Sequence, residues 1–152
     1  MRSMYFTLIL VVIFAANIAN AGWRDTEWGM TVQEVTDVSE SGIYAVQHKN
    51  AAYWEIVPKL RSSANFGGFT FFTEFYFDDR DGLMSVRLMP RQTIWCLDMF
   101  RYLFKNYTYF GPTEDSYVWH DVSGGNKIQL SRFANCAVTF SSEDNGVTSA
   151  AE

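Results

Sequence analysis

A cluster of acidic residues is the first place where the sequence could do chemistry. Asp78, Asp79 and Asp81 precede Gly82, and carboxylates before a glycine are typical of a calcium-binding loop. That loop needs acids at alternate positions and a terminal glutamate, and Phe77 stands where the first acid belongs. We therefore interpret the cluster as the charged tip of a hairpin. A calcium-stabilised structural module is kept as an alternative.

Histidine offers a second chemistry, because an imidazole can act as a general base near neutral pH. His120 and Asp121 follow Trp119 in a predicted strand, and His48 lies in a polar segment. Neighbouring strand residues point to opposite faces, so His120 and Asp121 should not pair directly. The sequence contains no nucleophile elbow, zincin motif or phosphate loop. A small hydrolase that uses His120 with an acidic partner is the competing functional hypothesis.

Aromatic residues in the last third of the chain could form a docking strip for a sugar or a protein. Tyr109 and Phe110 follow a predicted helix, at an element end where connecting segments often carry function. Trp119 lies in the next predicted strand. We name these three as candidate binding residues, and core packing is the competing explanation. No cofactor and no metal ligand set is predicted.

The chain has two cysteines, Cys96 and Cys136. An even pair in a small exported domain is most simply a disulfide. Closing a loop of about 40 residues, it should stabilise the fold by roughly 3–4 kcal/mol on the chain-entropy model.

These residues must be positioned by a sheet, and the hairpin between Phe66 and Met89 is its clearest part. Alternating phenylalanines predict one apolar strand face, and Asp81-Gly82 suits a two-residue turn. That turn would pair Phe77 with Val86 and Phe75 with Leu88, and it would place Tyr76 opposite Arg87 on the polar face. The further predicted strands are 43–47, 53–60, 117–122, 127–133 and 136–141, with Leu130 facing Val138 and Ile128 facing Phe140.

Two helices are expected to cover the sheet. Thr31 and Glu34 form a capping box, with Met30 and Val35 as a hydrophobic staple, which predicts a short helix over 32–38. After Pro90 the apolar period changes to three or four residues and predicts a longer helix over 93–107. Helix followed by strands then occurs twice along the chain, and this weak repetition suggests a duplicated module.

The first 21 residues have the features of a secretory signal peptide. Arg2 precedes an apolar run, and Ala19-Asn20-Ala21 is a suitable cleavage site. We expect cleavage after Ala21, a single α+β domain over 22–142 and a flexible polar tail over 143–152.

The segment Trp23–Val38 contains W-G-M-T-V-Q-E-V, which resembles the opening of a broad set of small uncharacterised bacterial periplasmic proteins. Tyr109-Phe110-Gly111-Pro112 and Trp119 are similar to the second half of that set. The short helix followed by strands more distantly resembles the modules of β-lactamase-inhibitor proteins and outer-membrane assembly lipoproteins. The resemblance implies the periplasm and an α+β layout, and it implies no catalytic residues.

Composition narrows the functional classes further. The net charge is −5, and it becomes −6 once Arg2 is removed with the signal peptide, which argues against nucleic acid or an anionic membrane as the main partner. The sequence thus predicts an antiparallel sheet of two strand groups covered by two helices. The leading functional hypothesis is a soluble, non-catalytic periplasmic domain that binds an envelope protein or glycan.

Overall fold

The protein forms one antiparallel sheet of eight strands with two helices, as seen in a computed structural model. The structure describes residues 21–39, 42–47, 57–92, 96–133 and 136–143. In chain order the elements are α1 (Val32–Val38), β1 (Tyr44–Ala45), β2 (Leu60–Phe66), β3 (Phe69–Phe77), β4 (Leu83–Pro90), α2 (Cys96–Asn106), β5 (Thr108–Pro112), β6 (Ser116–Asp121), β7 (Asn126–Ser131) and β8 (Val138–Ser142). The antiparallel sheet and two helices agree with the sequence prediction, but the sheet dominates the molecule.

The strand order divides the sheet into two groups. Strands lie in the order β1-β2-β3-β4-β8-β7-β6-β5, so each half of the chain contributes one helix and then four neighbouring strands. The last strands of the two halves, β4 and β8, pair antiparallel at the centre. The two strand groups expected from the sequence are therefore joined in one continuous sheet.

The first helix has the boundaries predicted from its capping box. Thr31 Oγ1 accepts a hydrogen bond from the Glu34 amide at 3.3 Å, and the Glu34 carboxylate accepts one from the Thr31 amide at 2.8 Å. The bonds from Thr31 lower the pKa of Glu34. Val35 is fully buried in the core and fixes this short helix on the sheet. The prediction of a helix over 32–38 is confirmed.

The second helix packs on the sheet through Met99 and Leu103, which are both buried. It runs from Cys96 to Asn106, and residues 93–95 of the predicted range lie outside the described residues. Cys96 forms the predicted disulfide with Cys136, across a Cα–Cα distance of 5.4 Å. The bond ties the start of α2 to the segment that leads into β8.

The β3–β4 hairpin has a different register from the predicted one. Phe75 lies opposite Val86, and Phe77 lies opposite Leu83, with a β-bulge between Tyr76 and Phe77. The predicted pair Phe75–Leu88 is therefore wrong by two residues, and the predicted pair Phe77–Val86 is wrong by three, since the bulge adds one residue to the shift. Because strand side chains alternate with a period of two, this shift leaves the phenylalanine side chains on the same face.

The connection explains the shift, because it is longer than two residues. Asp78 Oδ1 accepts hydrogen bonds from the amides of Arg80 and Gly82, each at 2.9 Å. Asp81 adopts a positive φ of 65°, which aspartate tolerates better than most residues. The aspartate side chain thus closes a loop over 78–82, whereas the sequence prediction considered only Asp81-Gly82.

The remaining strand predictions have mixed outcomes, and the β7–β8 register is confirmed. The predicted strand 53–60 is wrong in its described part, because 57–59 are not in a strand and Leu60 begins β2. Strand β5 and most of β2 were not predicted. Between β7 and β8, Leu130 lies opposite Val138 and Ile128 opposite Phe140, as the alternation of apolar residues predicted.

The hydrophobic core lies between the two helices and one face of the sheet, which we call the helix face. Trp23 extends this covering layer and packs its ring 4.6 Å from that of Phe140. Both helices contribute to a cluster of buried side chains: Trp23, Val35, Leu60, Ala64, Phe71, Phe75, Phe77, Leu83, Val86, Leu88, Met99, Leu103, Trp119, Ile128, Leu130, Cys136, Val138 and Phe140. Neither helix is long and apolar enough to cross a membrane, among the residues described here.

Candidate binding surface

The second face of the sheet, which we call the open face, contributes no side chain to the core cluster and lies away from both helices. Strand pairing aligns its polar side chains in two rows that run across the strands. The first polar row comprises Thr108, His120, Lys127, Ser141, Ser85 and Tyr76. The second polar row comprises Gln129, Thr139, Arg87, Glu74 and Arg61. With strands about 4.8 Å apart, the first row extends over about 24 Å.

Basic side chains outnumber acidic ones on the strands of this face. Arg61, Arg87 and Lys127 project from it, and Glu74 is the acidic residue of the two rows. Glu143 reaches one margin of the face, just beyond β8. An excess of positive charge in a chain of net charge −5 makes this face a local attractor for anions.

Glu74 is the best-satisfied charged group of the open face. Its Oε1 accepts hydrogen bonds from Arg61 Nε at 2.9 Å and from Nη2 at 2.6 Å, and its Oε2 accepts one from the Tyr76 hydroxyl at 2.8 Å. The residue is only 4% exposed, so this set of bonds compensates for the loss of water around its charge. Burial, followed by this bond to Glu74, raises the pKa of Tyr76.

Arg87 stands directly opposite Glu74 but does not share its carboxylate. The register pairs the two residues, yet Arg87 forms no ion pair with any carboxylate of the described residues. Its guanidinium interacts with the hydroxyl of Tyr76. The Arg61–Glu74 pair therefore leaves Arg87 as a half-buried cation without an acidic partner in the described chain.

A shallow groove of about 240 Å³ lies beside Arg87 on the open face. The hydroxyls of Ser85 and Thr139 border it and have no hydrogen-bond partner among the described residues. The lining consists of Tyr76, Met84, Ser85, Arg87, Ser131, Ala137 and Thr139. A cation, a phenol and two aliphatic hydroxyls therefore meet at one shallow depression.

The edge strand β5 places Phe110 at one end of the open face. Tyr109 pairs with Trp119 and Gly111 with Val118, so Phe110 is the extra residue of a β-bulge. Its side chain is 76% exposed, and its ring lies 5.0 Å from that of His120. Bulges are common where a strand must redirect a side chain, and they also protect a sheet edge against pairing with another strand. The bulge therefore exposes the ring of Phe110 and does not offer its backbone for pairing with another strand.

His120, whose ring lies beside Phe110, forms a hydrogen bond with Glu143. The distance between His120 Nδ1 and Glu143 Oε1 is 2.8 Å. The predicted separation of His120 from Asp121 agrees with the structure, because Asp121 accepts hydrogen bonds from Ser123 and the Gly124 amide. Glu143 was assigned to a polar tail by the sequence, so its pairing with His120 was not anticipated.

The structure separates the three aromatic residues that the sequence proposed as one binding strip. Trp119 is fully buried on the helix face, where it cannot touch a ligand directly. Tyr109 packs between Trp119 at 5.4 Å and Phe104 at 5.3 Å, also on that face. Phe110 is on the opposite side and is the strongly exposed member. A binding role for Tyr109 and Phe110 stays a prediction.

The acidic hairpin tip is organised by hydrogen bonds within the chain. Asp78 uses its carboxylate to close the loop, and the same bonds from Gly82 and Arg80 lower its pKa. Asp81 pairs with Lys59. Among the described residues, no group of three or more His, Cys, Asp or Glu side chains is arranged to hold a metal ion. His48 lies outside the described residues.

Comparison of the chain with protein families, curated proteins and solved structures finds no match. The function must therefore be argued from the surface itself. The sequence reasoning did not identify Arg87, Thr139 and Lys127 as members of one face. These residues occupy the alternate polar positions of β4, β7 and β8. Those positions can be aligned with one another only when the order of the strands in the sheet is known.

Proposed function

We propose that the protein is an exported, non-catalytic binding domain of the bacterial periplasm, and that its open face binds an acidic glycan of the cell envelope. The observation that carries the proposal is the first polar row, a line of hydrogen-bonding side chains that crosses six strands. A disulfide in a small domain supports an oxidising compartment.

The chemistry of the open face favours a glycan over a protein partner. Protein interfaces have apolar, aromatic centres from which charged residues are depleted, and polar rims. This face differs because charged residues are not depleted at its centre: Arg87 and Lys127 lie on interior strands. The rings of Tyr76 and Phe72 also lie on an interior strand, β3, and Phe110 lies on an edge strand. Hydroxyl and amide side chains can bond the hydroxyls of a sugar, and an exposed aromatic ring can stack on its apolar side.

Charge determines which class of glycan would fit. Lys127 has no ion pair with a described carboxylate, and neither has Arg87, so both are available to neutralise anionic substituents. A neutral glycan would leave these cations uncompensated at the interface, and a basic partner would be repelled. We therefore expect glycans that carry carboxylate or phosphate groups to bind better than neutral ones.

A glycan-binding assay with purified protein tests the proposal. Biolayer interferometry would measure binding to immobilised acidic and neutral envelope glycans, for the native protein and for Phe110→Ala and Lys127→Gln. We expect preference for the acidic glycans and weakening of about tenfold in each variant, which corresponds to the loss of one stacking or charged contact.

Two substitutions outside the two polar rows serve as matched controls. Val122→Ala removes an apolar side chain that is 78% exposed in the β6–β7 turn, and Lys105→Gln removes a cation from α2. Both should bind like the native protein. Absence of binding to every acidic glycan, together with enrichment of one envelope protein through the same face, would overturn the glycan proposal in favour of a protein partner.

A second candidate function follows from the His120–Glu143 pair. A histidine oriented by a carboxylate could act as a general base in a small hydrolase. No serine, threonine or cysteine of the described residues bonds the His120 ring. Replacement of His120 by alanine decides this alternative in a broad screen of hydrolytic substrates. Activity that disappears with the substitution would support the enzyme, and activity unchanged by it would exclude His120 as the base.

A further inference from the structure

We propose that the groove beside Arg87 is an oxyanion-binding subsite, which takes a phosphate or carboxylate group of the ligand. The inference rests on the proposed function for its biological ligand, but the subsite itself can be tested with a simple anion. It assigns Arg87 the role of the charged anchor and the hydroxyls of Thr139 and Ser85 that of neutral donors.

The open face has one arginine more than its buried carboxylate can pair. Arg61 and Arg87 flank one carboxylate, since the register places Glu74 between them on β2, β3 and β4. Arg61 takes Oε1 with two nitrogens, and the Tyr76 hydroxyl takes Oε2. A partly buried guanidinium without a counterion is costly, and the cost falls when an anion binds it.

The donors that border the groove fit the shape of an oxyanion. A guanidinium presents its donors in a planar fork that matches two oxygens of a phosphate or carboxylate. Thr139 lies directly opposite Arg87 on β8, and Ser85 lies two residues before it on β4, so both hydroxyls are on the same face as the guanidinium. Hydroxyl donors with no partner among the described residues can complete the shell of an oxyanion.

One wall of the groove is held in place by hydrogen bonds. Tyr76 donates its hydroxyl hydrogen to Glu74, which is itself held by Arg61. The Arg87 guanidinium is near enough to the same hydroxyl to interact with it electrostatically, and both residues line the groove. Because Arg61 and Glu74 hold Tyr76 in place, this wall of the groove is formed before a ligand arrives, which lowers the entropic cost of binding.

Titration with inorganic phosphate tests the subsite in the intact protein. NMR would follow the Arg87 side-chain Nε–Hε signal and the Thr139 amide signal, and the dissociation constant would be taken from their shifts. We expect both signals to move together with phosphate and with sulfate. Arg87→Gln should weaken phosphate binding about tenfold or more. Arg87→Lys should have an affinity between those of the native protein and Arg87→Gln, because lysine keeps the charge but not the planar set of donors.

Arg101→Gln is the matched control, since Arg101 is an exposed arginine on α2 with an ion pair to Asp98. Thr139→Val keeps shape and strand preference, and it provides a second variant in case Arg87→Gln does not fold. Signals that do not respond to phosphate, or equal binding by Arg87→Gln, Thr139→Val and Arg101→Gln, would overturn the subsite.

The two proposals can fail separately. Phosphate binding that depends on Arg87, without binding of any acidic glycan, would support the subsite and refute the glycan function. Glycan binding that is equal in the native protein and in Arg87→Gln would support the function and refute the subsite.

Discussion

At the scale of single residues, the open face shows how one carboxylate determines the roles of two arginines. Glu74 is buried, and its two carboxylate oxygens accept hydrogen bonds from Arg61 and from Tyr76. Arg87 is thereby left to interact with the Tyr76 hydroxyl and the groove. The sequence pattern does not distinguish the two arginines, since both occupy polar positions of strands. Their roles diverge only through the bonding geometry of Glu74.

The hairpin tip gives a prediction about Asp78 and calcium. Asp78→Ala should lower the melting temperature, because it removes the acceptor for two loop amides. Asp79→Ala serves as the control, because the Asp79 side chain is exposed and forms no hydrogen bond or ion pair with the described residues. Melting temperatures with and without chelator should be equal for the native protein. A large decrease with chelator would instead support the calcium-stabilised module.

The lowered pKa of Asp78 also predicts how the loop responds to acid. Its folded pKa lies below its ordinary value of 3.8, so the charged form stabilises the fold above that pH, and this stability is lost as the pH falls through the folded pKa. Asp78→Asn should remove that part of the acid dependence. Thermal unfolding between pH 5 and pH 2 measures it, and identical curves for the two proteins would contradict the assignment.

Tyr107 gives a prediction at alkaline pH. Burial, with Tyr102 and Asp121 adding to it, raises the pKa of Tyr107 from 10.0 to about 12. A raised folded pKa stabilises the fold below the unfolded value, and this stability is lost as the pH rises from about 10 to 12. Urea unfolding of Tyr107→Phe should show a weaker alkaline decline than the native protein. Tyr44→Phe, at an exposed position, should retain the native decline.

At the scale of elements, local signals in the sequence were reliable where their chemistry is complete within a few residues. The capping box set the start of α1 at Val32, and the parity of apolar residues gave the β7–β8 register. The β3–β4 register was wrong because the Asp78 side chain closes a longer loop, which the dipeptide Asp81-Gly82 does not reveal. Strand β5 was missed because the bulge at Phe110 breaks its alternation.

The capping box allows a quantitative test of α1. Thr31→Ala should lower the free energy of unfolding by about 1 kcal/mol, because it removes the acceptor for the Glu34 amide. Thr36→Ala lies in the same helix and should change stability much less, since Thr36 is exposed and bonds only its own helix backbone. Equal effects of the two substitutions in urea unfolding would contradict a specific role for the cap.

The disulfide supports the junction between α2 and β8. Simultaneous replacement of Cys96 and Cys136 by alanine should lower the free energy of unfolding by about 4 kcal/mol on the chain-entropy model, for a separation of 40 residues. Native protein under reducing conditions should behave like the double variant. Unfolding that is unaffected by both treatments would show that the bond contributes little to the folded state.

At the scale of the whole molecule, the two faces of the sheet have different roles. The helix face contains the core, and its apolar residues on β3, β4, β7 and β8 could be recognised from alternation. The open face is built from residues that are distant in sequence, since its rows combine strands of both halves of the chain. Its members could not be grouped from the sequence, because their alignment depends on the pairing of β4 with β8.

The distribution of charge gives the open face its proposed function. The chain is acidic overall, whereas the strands of this face project Arg61, Arg87 and Lys127 against Glu74. An acidic ligand is therefore attracted to one side of an otherwise repulsive molecule. Phe110 lies at the end of the face where its ring could stack on a sugar. The groove beside Arg87 is the proposed anion-binding subsite of the same face.

The most direct test of this account is the affinity of an acidic glycan for the native protein, Phe110→Ala and Arg87→Gln, measured against Val122→Ala and Arg101→Gln. The account predicts that both open-face variants bind about tenfold more weakly, that higher salt weakens native binding, and that the two controls bind normally. Native affinity in both open-face variants, or the same affinity for neutral glycans, would contradict it.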